Sequence, residues 1–159
     1  MWARSSKLKP EQASDPVCVR KRAMDFLARR EHGEREIAQK LIARGFDADI
    51  VEAAVSALIA DGLLSDSRFA EAFVYSRFKK GSGPQKIHAE LRQRGIDDAL
   101  ISASMETVGE QWRERAREVR EKKFGQESPR DFRERSRQMR FLQQRGFTSE
   151  QINGAFKDD

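Results

Sequence analysis

One four-residue turn occurs three times in this chain and restricts what it can fold into. Arg44-Gly45-Phe46-Asp47 returns as Arg94-Gly95-Ile96-Asp97 and again as Arg145-Gly146-Phe147-Thr148, at intervals of 50 and then 51 residues. Each copy has the chemistry of a connection between two helices. Glycine suits the position just past a helix end, where the backbone turns left-handed and a Cβ would cost about 1 kcal/mol or more. The apolar residue after it folds back onto the helix just finished. Asp47, Asp97 and Thr148 then stand where a side-chain oxygen takes up free amides of the next helix, and Thr148 with Gln151 makes a capping box.

The flanks hold the same register. Leu41, Leu91 and Leu142 each lie four residues before the glycine. Val51, Ile101 and Ile152 follow it by six, and Val55, Met105 and Phe156 by ten, which keeps one apolar stripe on the helix after each turn. Gly33-Glu34-Arg35-Glu36-Ile37 also matches Gly83-Pro84-Gln85-Lys86-Ile87. A chain of repeated small helical units presents a surface to a long partner more readily than it encloses a pocket.

Composition agrees. With 36% charged and 38% apolar residues over 159 positions, several thin cores are expected instead of one large one. Abundant Ala, Leu, Glu, Arg and Gln, with no strand-like alternation, make the chain all-α. The expected organisation is a disordered lead-in over residues 1–17, then three-helix repeats over 18–64, 65–109 and 110–159. In the third repeat the break Phe124–Pro129 precedes a longer helix whose apolar positions are read as Phe132, Met139 and Leu142. Units of this size are marginal alone, so neighbouring repeats are expected to pack together.

No residue pattern points to catalysis, a metal or a cofactor. His32 and His88 have no second ligand at metal-binding spacing, and Gly81-Ser82-Gly83 lacks the lysine of a phosphate loop. Cys18 is the only cysteine, which excludes an internal disulfide, fits a reducing cytoplasm and reads as a spectator. No apolar run approaches the ~20 residues of a membrane span, and no signal peptide is read at the N-terminus. These observations disfavour an enzyme, a small-molecule substrate and a membrane partner.

The net charge of +5 suggests a polyanionic partner without demanding one. Arg77, Lys79, Lys80 and Lys86 cluster around the first break of the second repeat, and Arg92 and Arg94 follow on the next helix. With Gly81 and Gly83 leaving backbone amides accessible, this group suits phosphates or an acidic protein face. Solubilising charge is the competing account. The run from Arg113 to Lys123 is interleaved with Glu114, Glu118 and Glu121 and reads as a salt-bridged helix face, while Phe78 reads as core.

Three segments of the second repeat resemble a known family. They are Leu63-Leu64-Ser65-Asp66-Ser67-Arg68-Phe69-Ala70-Glu71-Ala72-Phe73-Val74, then Ser76-Arg77-Phe78-Lys79-Lys80-Gly81-Ser82-Gly83-Pro84, then Ile87-His88-Ala89-Glu90-Leu91-Arg92-Gln93-Arg94-Gly95-Ile96. The likeness is to the RecX family of recombination regulators and extends from about Val19 to Lys157. It implies a cytoplasmic bacterial protein of three tandem three-helix repeats, curved into an elongated body and acting as a monomer. It further implies binding in the groove of the RecA filament on single-stranded DNA, restraining strand exchange, ATP hydrolysis and SOS coprotease activity, and so modulating DNA repair. Tyr75 and Ser82 depart from the family pattern. The alternative is a helical repeat protein that binds DNA without sequence preference and without RecA. The helices after the first two turns carry acids and few bases, which disfavours reading of base sequence.

Overall fold

The computed structural model describes residues 8–156, and among them helix is the only regular secondary structure, with nine α-helices. It divides into two compact units, Met1–Phe69 and Ala70–Asp159.

The first unit contains α1 (Pro16–Arg29), α2 (Glu34–Ala43) and α3 (Ala48–Ala60). Val19 and Ala23 of α1, Ile37 and Leu41 of α2, and Val51 and Leu58 of α3 are buried together with Phe46 and Leu64. Fully burying an aliphatic side chain of this kind contributes about 1.5–3 kcal/mol. The first copy of the turn closes α2 as its residues dictate. Gly45 sits at φ +103°, its amide donates to the Ile42 carbonyl at 2.9 Å, and the Phe46 amide donates to Leu41 at 3.3 Å. Phe46 thereby folds inward.

Asp47 behaves differently from the expected cap, because its carboxylate accepts from the Ser14 hydroxyl and makes no bond to α3 amides. The Asp47 amide in turn donates to the Ala13 carbonyl at 3.0 Å. These bonds correct the expected disorder of residues 8–17. Pro10–Gln12 form a 3₁₀ turn, Leu8 packs on the core, and Asp15 caps α1 through the Val17 amide at 2.9 Å. The remainder of the expected lead-in, residues 1–7, lies outside the described residues. Cys18 is half-buried beside the same core.

His32 lies between α1 and α2 and is 2% exposed. Its Nδ1 is 3.1 Å from the Arg30 carbonyl, and its Nε2 is 2.9 Å from Lys40 Nζ. A neutral ring satisfies both contacts, donating to the carbonyl and accepting from the ammonium. Burial, reinforced by the Arg30 and Lys40 charges, holds its pKa below the ordinary histidine value, against an opposing pull from the Arg30 carbonyl and Glu36.

The next helix in the chain, α4 (Asp66–Lys79), is started by the Ser65 hydroxyl accepting from the Arg68 amide at 3.2 Å. The second unit continues with α5 (Pro84–Gln93), α6 (Asp98–Glu106), α7 (Trp112–Phe124), α8 (Phe132–Gln144) and α9 (Ser149–Gly154). Asp97 caps α6 through the Ala99 amide at 2.8 Å, and Thr148 with Gln151 forms the expected capping box at the start of α9. Trp112, Ala116 and Val119 of α7 are buried, as their spacing predicts.

Phe132 is a correction. Periodicity places it among the inward positions of α8, yet it is 83% exposed. The inward face of α8 runs through Gln138 and Leu142, and Phe132 stands six residues before Gln138, roughly 120° away around the helix.

Repeats two and three meet through their backbones. The Gly83 amide donates to the Arg145 carbonyl at 2.7 Å, and the Gln85 amide donates to Gly146 at 2.9 Å. A Cβ on Gly83 would lie 2.3 Å from the Gly146 carbonyl carbon and the Phe147 nitrogen. One on Gly146 (φ +99°) would lie 2.4 Å from Lys86 Cβ. The break in one repeat therefore docks on the turn of the next, and only glycine fits at either position.

Two outcomes are expected. Gly146→Ala, which adds steric overlap to left-handed strain, should cost roughly 3 kcal/mol in urea unfolding. Gly125→Ala (φ +87°, open space) is the control and should cost about 1 kcal/mol. For His32, the depressed folded pKa means the unfolded chain binds more protons on acidification. Its contribution to stability is full above about pH 7 and declines as pH falls through the ordinary histidine value near 6.5. Denaturation between pH 7.5 and 5.5 should show this slope, and His32→Gln should remove it.

Candidate functional site

The six basic candidates all belong to the second unit, and the structure sorts them into different environments. Arg77 is a structural cation. Its guanidinium lies over the Phe73 ring at 4.8 Å, one helical turn earlier on α4, and its Nε is 3.1 Å from Glu90 Oε2 on α5. That N–H is not aligned on the oxygen, so the contact is an ion pair without a well-formed hydrogen bond, in a shielded position. Arg94 covers Phe73 at 5.0 Å, so two arginines engage one ring and tie α4 to the end of α5. Arg92 pairs with Asp98 at 3.5 Å, where both side chains are about two-thirds exposed; such a pair contributes little.

Lys79, Lys80 and Lys86 remain exposed. Lys79 Nζ rests over Tyr75 at 4.6 Å, so the aromatic that departs from the family pattern serves as a platform for the neighbouring ammonium. Lys86 is carried on the first turn of α5, directly beside Gly146. The three lysines thus come from the end of α4 and the start of α5, around the glycine junction. Arg77, Arg92 and Arg94 are drawn into contacts within the unit.

The break between these helices is held from outside by a residue that spacing alone does not identify. Arg115 of α7 donates from Nε to the Phe78 carbonyl at 2.9 Å and from a terminal nitrogen to the Lys79 carbonyl at 2.6 Å. It shares the Phe78 carbonyl with the Gly81 amide and takes up the Lys79 carbonyl where α4 ends, and its remaining nitrogen meets Glu118 at 2.7 Å. Phe78 packs edge-on against Trp112 with centroids 5.2 Å apart. Gly81, at φ +91°, completes the end with its amide on Phe78, while the Ser82 amide reaches Arg77 at 3.0 Å. Nothing in the run Arg113–Lys123 distinguishes Arg115 from its neighbours, because its partners are distant backbone atoms. Ser82 is buried in this turn, so the second departure from the family pattern contributes no exposed side chain.

Among the described residues, no group of three or more His, Cys, Asp or Glu side chains could hold a metal ion. His88 is a partly exposed surface residue 3.8 Å from Asp98.

What the fold and this surface define is a tandem three-helix repeat protein with a lysine-bearing junction. Family models for RecX match all three repeats: the first three-helix domain over residues 20–58, the second over 65–105 and the third over 110–156. The chain is 50% identical over 145 residues to Regulatory protein RecX of Halorhodospira halophila, spanning 91% of this chain and 90% of that one. It is 45% identical over 143 residues to Regulatory protein RecX of Pseudomonas syringae pv. tomato, spanning 90% and 92%. The crystal structure of RecX from Lactobacillus salivarius superposes with a TM-score of 0.76 at 21% identity, covering 89% of this chain and 94% of that one. The chain belongs to the RecX family, whose members named here are regulatory proteins.

Arg115→Ala should cost roughly 2 kcal/mol, as the loss of hydrogen bonds from a charged donor does. Hydrogen exchange should accelerate at the amides of Lys80 to Ser82, while Gly45 and Phe46 in the other unit keep their protection.

Proposed function

We propose that this chain regulates the RecA recombinase by binding its filament on single-stranded DNA, mainly as an inhibitor. It does so by occupancy of the filament groove without catalysis. The lysines at the glycine junction make part of the contact. The observation that carries this reading is the placement of Lys79, Lys80 and Lys86. They are exposed cations on a turn whose backbone is pinned by Arg115 and by the Gly83–Arg145 bond. Membership of a family of regulatory proteins over nine-tenths of the chain supports it.

A pinned turn matters because a backbone that is already ordered loses little further entropy on meeting an anionic surface. Weak contacts from several repeats then add through effective concentration. A protein lying across adjacent recombinase subunits restrains strand exchange and ATP hydrolysis and excludes a coprotease substrate from the groove. This activity belongs in the cytoplasm, with the protein acting as a monomer. Consistent with that placement, no described helix is long and apolar enough to cross a membrane.

The test is inhibition of recombinase ATP hydrolysis on single-stranded DNA. The unaltered protein should inhibit at substoichiometric amounts, and the variant K79E/K80E/K86E should need about tenfold more for the same effect. Arg77 is left in place, since its reversal would set a second carboxylate against Glu90 and disturb the fold. Unchanged inhibition by the triple variant removes this surface from the contact. Tight binding to naked duplex without any effect on the recombinase would favour the stand-alone DNA-binding alternative.

A further inference from the structure

A second cationic surface lies on α8, away from the lysines just described. From Arg130 to Arg145 the chain carries six arginines against two acids, Asp131 and Glu134. Both acids are turned to the start of the helix. Asp131 caps α8 by accepting from the Glu134 amide at 2.9 Å, and the Glu134 carboxylate lies 3.5 Å from the Arg130 amide. The arginines separate by face. Arg135 is stacked over Phe156 at 4.3 Å and Arg145 over Phe141 at 5.5 Å. Arg133, Arg137 and Arg140, at i, i+4 and i+7, form one exposed stripe continued by Arg130. Arg137 touches the edge of the unit through Phe124 at 5.5 Å, whereas the guanidinium groups of Arg130, Arg133 and Arg140 have no ion pair with any described residue.

Phe132 stands at the head of this stripe, 83% exposed. A single exposed aromatic needs no explanation by itself. Its setting does, because the ring and the four arginines, with Asp131 and Glu134 at the helix start, border one open concavity of about 1030 Å³ in which cations outnumber acids. Nothing apolar in that hollow competes for the ring face.

We propose that this face of α8 is a binding site for single-stranded nucleic acid, with the arginine stripe on the phosphates and Phe132 stacked on a base. Charge complementarity selects a polyanion. The free ring selects an unpaired strand, since bases within a duplex are already stacked on one another and withhold their faces. An acidic protein surface would satisfy the arginines while leaving the ring without a flat partner. The site does not require the recombinase, so its test contains none.

Fluorescence anisotropy with a labelled oligothymidylate, and with a duplex of equal length, reads the site directly. The unaltered protein should bind the single strand more tightly than the duplex. Phe132→Ala should weaken that binding about tenfold, and Phe132→Tyr should retain it. Both variants should melt with the unaltered protein, because the ring is exposed. R133E/R140E should weaken binding further and flatten the dependence of log K on log salt by about 1.4, two phosphate contacts' worth. The proposal is overturned if Phe132→Ala binds like the unaltered protein, if duplex and single strand bind equally, or if neither binds at low salt. Because these readouts need no recombinase, they stand or fall apart from the inhibition assay.

Discussion

The contact between Gly83 and Gly146 organises the second unit. Two backbones approach there closely enough that a single added carbon on either side would overlap its neighbour at about 2.3–2.4 Å. The approach allows the amides of Gly83 and Gln85 to donate to the carbonyls of Arg145 and Gly146. Backbone groups that a break in one repeat leaves unpaired are thus satisfied by the turn of the next. Thin three-helix cores gain stability by such sharing, and here the sharing is polar and geometric as well as apolar. The glycine that ends a helix in every repeat acquires in the third a further role as a docking surface.

That junction also explains how the cations divide. Arginine, with its planar fork of donors, is used where direction matters: Arg115 on two carbonyls, Arg77 and Arg94 on Phe73, and Arg120 on the Ala155 carbonyl and Gln138. Burial lowers the pKa of Arg120, the largest influence on a side chain 1% exposed, while Glu121 opposes it. The lysines at positions 79, 80 and 86 stay exposed. Arg130 and the outward arginines of α8, Arg133, Arg137 and Arg140, depart from this division, which is what sets that helix apart.

Much of the architecture was legible because it rests on local rules. The Arg-Gly-apolar turns close α2, α5 and α8 with glycines at positive φ and bury Phe46, Ile96 and Phe147, as a helix end of this type requires. The failures are those of partners distant in sequence. Asp47 had the position of a cap and is held instead by Ser14, 33 residues away, which also orders residues read as a loose tail. Phe132 had the composition of a core residue and faces outward because α8 turns a neighbouring stripe inward. Within the candidate site, Arg77 stacks on Phe73 at a local i, i+4 spacing, whereas Arg94 over the same ring and Arg115 behind the turn carried no sequence signal.

By itself the sequence determined the helical class, the threefold repetition, the turn geometry and the family, since each follows from residue type at fixed short spacing. Tertiary structure alone decided which cations are committed to internal partners and which remain exposed. It also decided that the second and third repeats form a single unit. The physical reason is that ion pairs, stacking and backbone docking depend on distances across the fold, and those distances are not encoded in any one window of the chain.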